Sequence, residues 1–279
     1  MHCLELLSSR PPNSHEPLVV SIVGGGGKTS LLFALASDAH RAGASVLVTT
    51  TTRIHDPRAE KRSFTAFRID ESWAAPSSGT AALPRPDEAG RSAGGKAATG
   101  FVCLVGAGIG AGAGADTGKL ISVDPVLIDA ATGWNLILVE ADGARHKPLK
   151  APADHEPVIP ASSQVVIAVI GLDCLGKPLD DAIAFRPELV SCATGLASGG
   201  IIEPRHLAAL ASAEAGCFKG APPGASRVLV LNKLDRADRS AAREAAEAAL
   251  GSGSVDLVAL ATLIEGDPGQ RIEVLLKRG

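Results

Sequence analysis

The sequence contains no tyrosine, and aromatic residues make up only 3% of it. The core must therefore consist of Val, Leu, Ile and Ala, and the aromatic platforms that stack single-stranded nucleic acid are missing. The five cysteines are odd in number and never spaced as CxxC, so neither a disulfide framework nor a zinc knuckle is indicated. A net charge of −3 gives no general attraction to nucleic acid or to anionic membranes.

Long apolar runs are also missing, since none approaches the roughly 20 residues that a membrane-spanning helix needs. The amino terminus has neither a basic start nor a long apolar core, so we expect no secretory signal and a cytoplasmic location. We expect no nucleic acid and no membrane among the partners. A chain of 279 residues suffices for one large domain or two small ones, and we expect a single domain over residues 1–279.

Short β-branched apolar runs alternate with alanine-rich segments along the chain. This alternation predicts an α/β fold with a doubly wound, mainly parallel sheet of P-loop NTPase type. We expect strands near residues 18–23, 45–50, 64–69, 101–105, 136–141, 164–170, 227–231 and 255–261. We expect helices near residues 28–42, 124–132, 203–213, 238–250 and 268–277. Residues 70–119 are rich in Ala, Gly, Pro and Ser and predict a flexible, low-complexity insertion.

Four consecutive glycines follow the first apolar strand and precede a Lys-Thr-Ser sequence. A helix amino terminus exposes backbone N–H groups at the positive end of its dipole, and glycines let a phosphate approach them. The lysine would contact the β- and γ-phosphates, and the threonine hydroxyl would coordinate Mg²⁺. The run departs from GxxxxGK[ST] at Ile22 and resembles the GGxGKT loop of partition ATPases and metallochaperone GTPases. The predicted nucleotide-binding residues are Gly24, Gly25, Gly26, Gly27, Lys28, Thr29 and Ser30; a glycine-rich turn without a ligand is the alternative.

Two acids, Glu140 and Asp142, lie at the end of the apolar strand LILVE. Because side chains alternate along a strand, both carboxylates point to the same side, where they can face the phosphate site. We predict that Asp142 binds Mg²⁺ and that Glu140 orients water or metal ligands. Together with Lys28, they are the predicted catalytic residues. Solvated acids at the end of a strand are the alternative.

The segment VLVLNKLD ends another apolar strand with Asn232, Lys233 and Asp235. In GTPases, the Asp of an NKxD sequence accepts hydrogen bonds from guanine, the Lys stem covers the ring, and the Asn braces the loop. Adenine has no donor at N1, so a carboxylate there would stay unpaired and would discriminate against ATP. We therefore predict that these three residues bind the base. A surface turn that caps the helix near Asp238 is the alternative.

Two further sets of residues are candidates for a substrate or switch role. Thr51 and Thr52 follow a strand, where their hydroxyls can sense the γ-phosphate, although threonine is also simply a good strand residue. The second set lies in proline-rich segments that we expect at the strand ends bordering the nucleotide. It consists of Lys150, His155, Glu156 and Arg186. A structural loop whose His and Glu cap neighbouring backbone is the alternative for this set.

Taken together, these motifs resemble those of the YqeC family. The matching segments are GGGGKTS, TTTTRI, VEADGARHKPLKAPADHEPVIP, GLDCLGKPL with FRPE, and VLNKLD, which span about residues 18 to 277. The family is described as an accessory protein of selenium-dependent molybdenum hydroxylases. The resemblance implies a nucleotide-dependent role in maturing such an enzyme, with the hydroxylase or its cofactor-maturation machinery as partner. Phe185 departs from the family pattern, in which a histidine commonly precedes RPE.

Three functions are compatible with the sequence. The first is an Mg²⁺-dependent NTPase that uses GTP or ATP and whose bound state changes how it holds a client enzyme or cofactor. The second is a small-molecule kinase in which Lys150, His155 and Arg186 bind the acceptor and residues 70–119 act as a lid. The third is a nucleotide-sensing scaffold without catalysis. Because no Gln or Arg can be assigned to the attacking water or the transition-state charge, we expect slow intrinsic hydrolysis.

Overall fold

The computed structural model describes residues 3–7, 16–52, 54–55, 67–70, 83, 85–86, 102–105, 119–120, 122–263 and 271–278. Over these residues the chain is a mixed α/β fold with few helices, built on a mostly parallel sheet of nine strands. Most of the predicted insertion at 70–119 lies outside the described residues, so its flexibility and its role as a lid stay predictions.

The strands account for all eight segments that the sequence predicts. In chain order they are β1 (Leu18–Gly24), β2 (Val46–Thr50), β3 (Ile54–His55), β4 (Phe67–Asp70), β5 (Val102–Val105), β6 (Lys119–Leu120), β7 (Leu136–Glu140), β8 (Leu149–Lys150), β9 (Val165–Gly171), β10 (Ala184–Phe185), β11 (Ser226–Asn232), β12 (Leu257–Thr262) and β13 (Arg271–Lys277). The large sheet has the order β13-β12-β11-β9-β1-β7-β2-β5-β4. Its neighbours are parallel except for β12 and β13. Two short pairs, β8 with β10 and β3 with β6, lie outside it.

Helices cover both faces of the sheet. They are α1 (Lys28–Arg41), α2 (Pro125–Asp129), α3 (Pro187–Thr194), α4 (Pro204–Ser212) and α5 (Arg239–Gly251). Helix α1 packs on one face against residues such as Val20 and Ile22, and α2 to α5 pack on the opposite face. Because neither face meets water, the central strands are continuous apolar runs, and all seven residues of β9 are buried.

The prediction of a helix at 268–277 is wrong. Residues Arg271–Lys277 form β13, which pairs antiparallel with β12. The segment RIEVLLK contains good helix formers, but the open edge of β12 offers backbone groups that strand pairing satisfies, and this pairing outweighs local propensity. Helix α3 was not predicted, although Pro187 at its start and Gly195 just after its end are typical helix boundary residues.

Four cysteines whose side chains the structure describes are free thiols. Cys3, Cys174 and Cys217 are buried, and Cys192 is exposed. Burial raises the pKa of each of the three buried thiols to about 12. These thiols therefore stay protonated at neutral pH and act as small apolar core residues. Among the described helices, none is long and apolar enough to cross a membrane.

The direction in which the chain adds strands to the sheet changes beside β1. The chain passes from β1 to β2 on one side of the sheet, and later enters β9 and β11 on the other side. Such a change of direction is where ligands bind in open α/β sheets. The register pairs Ile22 with Glu140, which brings Gly24, at the end of β1, next to Asp142 just beyond β7.

Candidate functional site

The glycine loop, Gly24–Gly27, connects β1 directly to α1. Its backbone is left-handed at Gly26, with φ 71°, and at Gly27, with φ 129°. A Cβ atom on Gly26 would lie 2.3 Å from the Gly171 nitrogen, and one on Gly27 would lie 2.3 Å from Asn232 Nδ2. Both the backbone angles and the close neighbours therefore require glycine at these two positions.

The first amides of α1 are available to a ligand. Gly25 and Gly26 donate their N–H groups to backbone carbonyls of β9 and of the segment after β7, which fixes the loop. In the described part of the chain, no acceptor takes a hydrogen bond from the N–H groups of Gly27, Lys28 or Thr29. These amides lie at the positive end of a 14-residue helix, and they form a site suited to an anion.

Lys28 and Asp142 meet beneath the glycine loop. The Lys28 side chain is only 5% exposed, and its Nζ donates to Gly24 O at 2.6 Å. The same Nζ lies 3.3 Å from Asp142 Oδ1 and 4.0 Å from Glu140 Oε1. Asp142 in turn accepts a hydrogen bond from the Gly24 N–H, 3.1 Å from each carboxylate oxygen. The structure thus brings the predicted lysine and both predicted acids together.

Thr29 and Glu140 already touch. The Thr29 hydroxyl donates to Glu140 Oε2 at 3.0 Å, so a hydroxyl oxygen and a carboxylate oxygen lie side by side at the start of α1. The described residues contain no cluster of three or more His, Cys, Asp or Glu side chains that would hold a metal alone. Mg²⁺ binds hard oxygen ligands and commonly takes one or two protein groups together with phosphate oxygens and water. This pair fits such an incomplete set.

A buried lysine links Asp142 to the segment beyond it. Lys150 Nζ lies 2.9 Å from Asp142 Oδ2 and 2.9 Å from Glu156 Oε2, and it donates to Gly143 O at 2.6 Å. Its side chain is fully buried. Glu156 also accepts a hydrogen bond from Arg186. The resulting charge chain, in order, consists of Lys28, Asp142, Lys150, Glu156 and Arg186.

The contacts of Glu156 predict that the protein loses stability in acid. Burial alone would raise the pKa of this carboxyl, but hydrogen bonds and charge from Arg186 and Lys150 hold its pKa below the ordinary value of 4.5. A depressed folded-state pKa stabilises the fold above the unfolded value, and this stabilisation disappears as pH falls from about 4.5 through the folded-state pKa. Urea unfolding at a series of pH values should show a smaller acid loss in Glu156→Gln than in the parent protein. Equal acid slopes in the two proteins would contradict this assignment.

Asn232 joins the glycine loop to two strands. The side chain is fully buried at the end of β11, and its Nδ2 donates to Gly26 O at 2.8 Å. Its Oδ1 accepts a hydrogen bond from the Leu263 backbone, 2.9 Å away, just beyond β12. One amide side chain therefore fixes the position of the glycine loop relative to β11 and β12.

Lys233 and Asp235 follow Asn232 at the same edge of the sheet. Lys233 has a left-handed backbone, with φ 64°, and its Nζ lies 2.7 Å from Asp173 Oδ2. Asp235 lies in a short 3-10 helix, 44% exposed, with Oδ2 3.7 Å from Arg236 Nε. Sequence reasoning missed Asp173. It lies two residues beyond the apolar strand β9, as Asp142 lies two residues beyond β7, and this strand-end position was the available signal.

The remaining predicted residues lie in different surroundings. Thr51 donates its hydroxyl to Val158 O at 2.6 Å, and the Thr52 backbone N–H donates to Thr50 Oγ1 at 3.0 Å. Ser30 lies in the first turn of α1. His155 is exposed, and no hydrogen bond or ion pair among the described residues joins its side chain to the charge chain. The structure thus brings Lys150, Glu156 and Arg186 together but leaves His155 apart from them.

Fold and site together define an α/β protein with a mostly parallel sheet and a polar site at the strand ends, where a glycine loop begins a helix. A family model described as "YqeC protein" matches residues 20–188. The chain is also 33% identical, over 230 residues, to "Uncharacterized protein YqeC" of Escherichia coli (strain K12), an alignment that covers 81% of this chain and 80% of that relative. The chain therefore belongs to the YqeC family. No solved structure matches it.

Proposed function

We propose that this protein is a P-loop nucleoside triphosphatase that requires Mg²⁺ and prefers GTP to ATP. In this proposal it is an accessory factor in the maturation of a selenium-dependent molybdenum hydroxylase. The observation that carries the nucleotide part is the convergence of Lys28, Thr29, Glu140 and Asp142 on a glycine loop at a helix amino terminus. Burying a charge is costly unless it is paired, and Lys28 has Asp142 as its partner. The helix amides beside it, which have no acceptor among the described residues, are what favour an anionic ligand.

The phosphate chain of the nucleotide would take the amides of Gly27, Lys28 and Thr29 as donors. Lys28 Nζ is held close by Gly24 O and Asp142, so the ammonium is positioned before a ligand arrives. Preorganised donors of this kind stabilise the charge that develops on a transferred phosphoryl group. The proposal includes slow intrinsic turnover, because no Gln or Arg can be assigned from the sequence to the attacking water or to the transition-state charge.

We assign the metal side of the site to Thr29 and Glu140. Both oxygens of Asp142 already have donors, since Lys28, Lys150 and the Gly24 amide all contact this carboxylate. Glu140 instead contacts the Thr29 hydroxyl, the group that a P-loop offers to Mg²⁺. The roles that the sequence suggested for the two acids are therefore exchanged here: Glu140 holds the metal or its water, and Asp142 positions the two lysines.

Phosphate release by Glu140→Gln tests this assignment. We expect the Mg²⁺ concentration at half-maximal turnover to rise on the order of 10- to 100-fold, as is usual when a group around a metal is removed. Glu140→Gln keeps the size of the side chain and its ability to accept from Thr29. The matched control is Glu244→Gln, an exposed acid on α5 that should change nothing. An unchanged Mg²⁺ requirement in Glu140→Gln would remove this residue from the metal site.

The preference for GTP rests on the segment after β11. Asn232 fixes the glycine loop to the strand that carries Lys233 and Asp235, so the phosphate site and the proposed base site share one support. Asp235 keeps an exposed carboxylate, which can accept from the N1–H and N2–H₂ groups of guanine. Adenine has no donor at N1, so ATP would not gain this pair of hydrogen bonds.

Replacing Asp235 with asparagine should reduce the preference for GTP over ATP by roughly 10- to 100-fold, the value of hydrogen bonds to a charged group. Competition of GTP and ATP for a fluorescent nucleotide measures the two affinities side by side. Asp181→Asn removes one exposed negative charge elsewhere and serves as the control. A GTP to ATP ratio that stays at the parent value in Asp235→Asn would show that the base is read by other groups.

The maturation role rests on the family resemblance described above. A nucleotide-dependent change at the charge chain would alter the segment from Gly143 to Glu156, which contacts the glycine loop through its backbone. A client enzyme or its cofactor machinery could then be held in one nucleotide state and released in another. The test is activation of a selenium-dependent molybdenum hydroxylase in cells that carry this protein or its Lys28→Ala variant. Equal hydroxylase activity in both would contradict the role.

A further inference from the structure

Among the non-glycine residues that the structure describes, a positive φ occurs at basic residues only. In the described ranges, the non-glycine residues with positive φ are Arg145 at 47°, His146 at 62°, Arg186 at 63° and Lys233 at 64°. Each lies in a segment that follows the carboxyl end of a strand. Such conformations cost about 1–3 kcal/mol each and persist where the surroundings impose them, commonly at functional sites. Two of the four are consecutive, directly after the Asp142-Gly-Ala sequence.

Three cationic side chains lie close to the ring of Phe185. Arg186 Cζ lies 4.3 Å from the ring centroid, Arg145 Cζ lies 5.1 Å from it, and Lys150 Nζ lies 5.7 Å from it. Each distance is within the range of a cation–π contact. We call Arg145, Phe185 and Arg186 the Phe185 cluster.

The cations of this region differ in how they are compensated. Lys150 is buried and contacts both Asp142 and Glu156. Arg186 is 23% exposed and is paired with Glu156. Arg145 is exposed, and within the described residues its guanidinium contacts the Phe185 ring but no carboxylate. As far as the described residues go, the planar donor fork of Arg145 is therefore open to an added acceptor.

The position of Arg145 is fixed beside the glycine loop. Lys147, two residues beyond it, accepts a hydrogen bond from the Gly26 N–H at 2.9 Å through its carbonyl oxygen. The carbonyl oxygen of Pro148 accepts from the Gly171 N–H, also at 2.9 Å. Stacking on the ring and this backbone attachment restrict the motion of Arg145 before any ligand arrives, which lowers the entropic cost of binding.

From these contacts we infer that the Phe185 cluster is a second ligand site, which binds the carboxylate or phosphate group of a small anionic molecule through Arg145. A guanidinium recognises either oxyanion with two parallel hydrogen bonds. The inference deepens the proposed function, and it rests on that function only in placing this molecule beside a bound nucleotide. Lys150, which the sequence suggested as a substrate contact, supports the cluster from beneath, because it is buried.

Calorimetric titration of pyrophosphate and, separately, of citrate into Lys28→Ala protein tests the inference, because this background lacks the lysine of the glycine loop. We expect at least one of the two anions to bind. Arg145→Ala in the same background should weaken that binding about tenfold or more, and Arg145→Lys should recover only part of it because the donor fork is lost. Arg243→Ala, which removes an exposed arginine from α5, should have no effect. If only the binding of pyrophosphate depends on Arg145, the ligand carries a phosphate group. If only the binding of citrate depends on Arg145, the ligand carries a carboxylate group.

Three results would overturn the inference. In the first, neither anion binds to the Lys28→Ala protein. In the second, Arg145→Ala and Arg243→Ala bind the anion equally well. In the third, a poly-glutamate peptide of about 20 residues binds a hundredfold more tightly than either small anion and depends on Arg145, which would indicate an acidic protein segment. Nucleotide binding by the parent protein is measured separately, so a failure here leaves the proposed function standing.

Discussion

Replacing Lys28 with alanine is expected to weaken nucleoside triphosphate binding by more than about a hundredfold, whichever base is used. The ammonium is the buried positive charge closest to the glycine loop, with Nζ 2.6 Å from Gly24 O. Losing charge-assisted hydrogen bonds to two phosphates costs about 3 kcal/mol or more, which corresponds to this factor. Equilibrium titration with a fluorescent GTP analogue measures the change directly.

The fold should survive the Lys28→Ala substitution. Asp142 keeps Lys150 and the Gly24 amide as partners, so its carboxylate is not left alone in the interior. The matched control is Lys177→Ala, which removes an exposed lysine and should bind nucleotide like the parent protein. An affinity of Lys28→Ala within threefold of the control, with an unchanged circular dichroism spectrum, would mean that the phosphates bind elsewhere.

Replacing Lys150 with methionine should destabilise the protein by about 3–5 kcal/mol, the cost of breaking a buried ion pair by removing one partner. Lys150 is fully buried between Asp142 and Glu156, and both contacts are 2.9 Å long. Methionine fills a similar volume but leaves two carboxylates near each other without the charge between them. It also leaves the Gly143 carbonyl without its hydrogen bond.

Urea unfolding at neutral pH measures this loss against Lys177→Met, an exposed lysine for which little change is expected. The Lys150→Met, Glu156→Gln double variant should recover part of the stability, because one of the two opposed charges is gone. Acid should also narrow the difference in stability between Lys150→Met and the parent protein as Glu156 protonates. A loss below about 1 kcal/mol at neutral pH would show that Lys150 is not the centre of the charge chain.

Local sequence predicted the strands well because the central sheet is buried on both faces. LVVSIVG, LILVE and VVIAVIG are continuous apolar runs, and such runs have few alternatives to a covered strand. The edge of the sheet was harder, since RIEVLLK can form a helix or a strand. The choice depends on pairing with β12, which the local pattern of this segment does not show. Burial therefore made the centre predictable and the edge ambiguous.

The candidate site also has a part that the sequence could predict and a part that it could not. Lys28, Thr29, Glu140 and Asp142 lie at strand ends or at a strand-to-helix junction, so parallel pairing was enough to predict that they meet. The pairing of Arg186 with Glu156, 30 positions away, depends on how two irregular segments fold over each other. No periodic pattern reports such a contact.

The residues that sequence reasoning missed share a similar cause. Asp173 pairs with Lys233 across 60 positions, and Arg145 is held by a ring that belongs to the separate strand β10. Contacts between loops are set by the sheet that positions the loops, and only the assembled sheet reveals them. His155 is the opposite case. Its neighbours in sequence suggested a role, but no contact among the described residues supports that role.

Calorimetric titration of the protein with GTP and with ATP, each in the presence and absence of Mg²⁺, tests the central claim most directly. The account predicts one bound nucleotide per chain, tighter binding of GTP than of ATP, weaker binding after removal of Mg²⁺, and loss of binding in Lys28→Ala. If neither nucleotide binds in the presence of Mg²⁺ although the protein is folded, the central claim is contradicted.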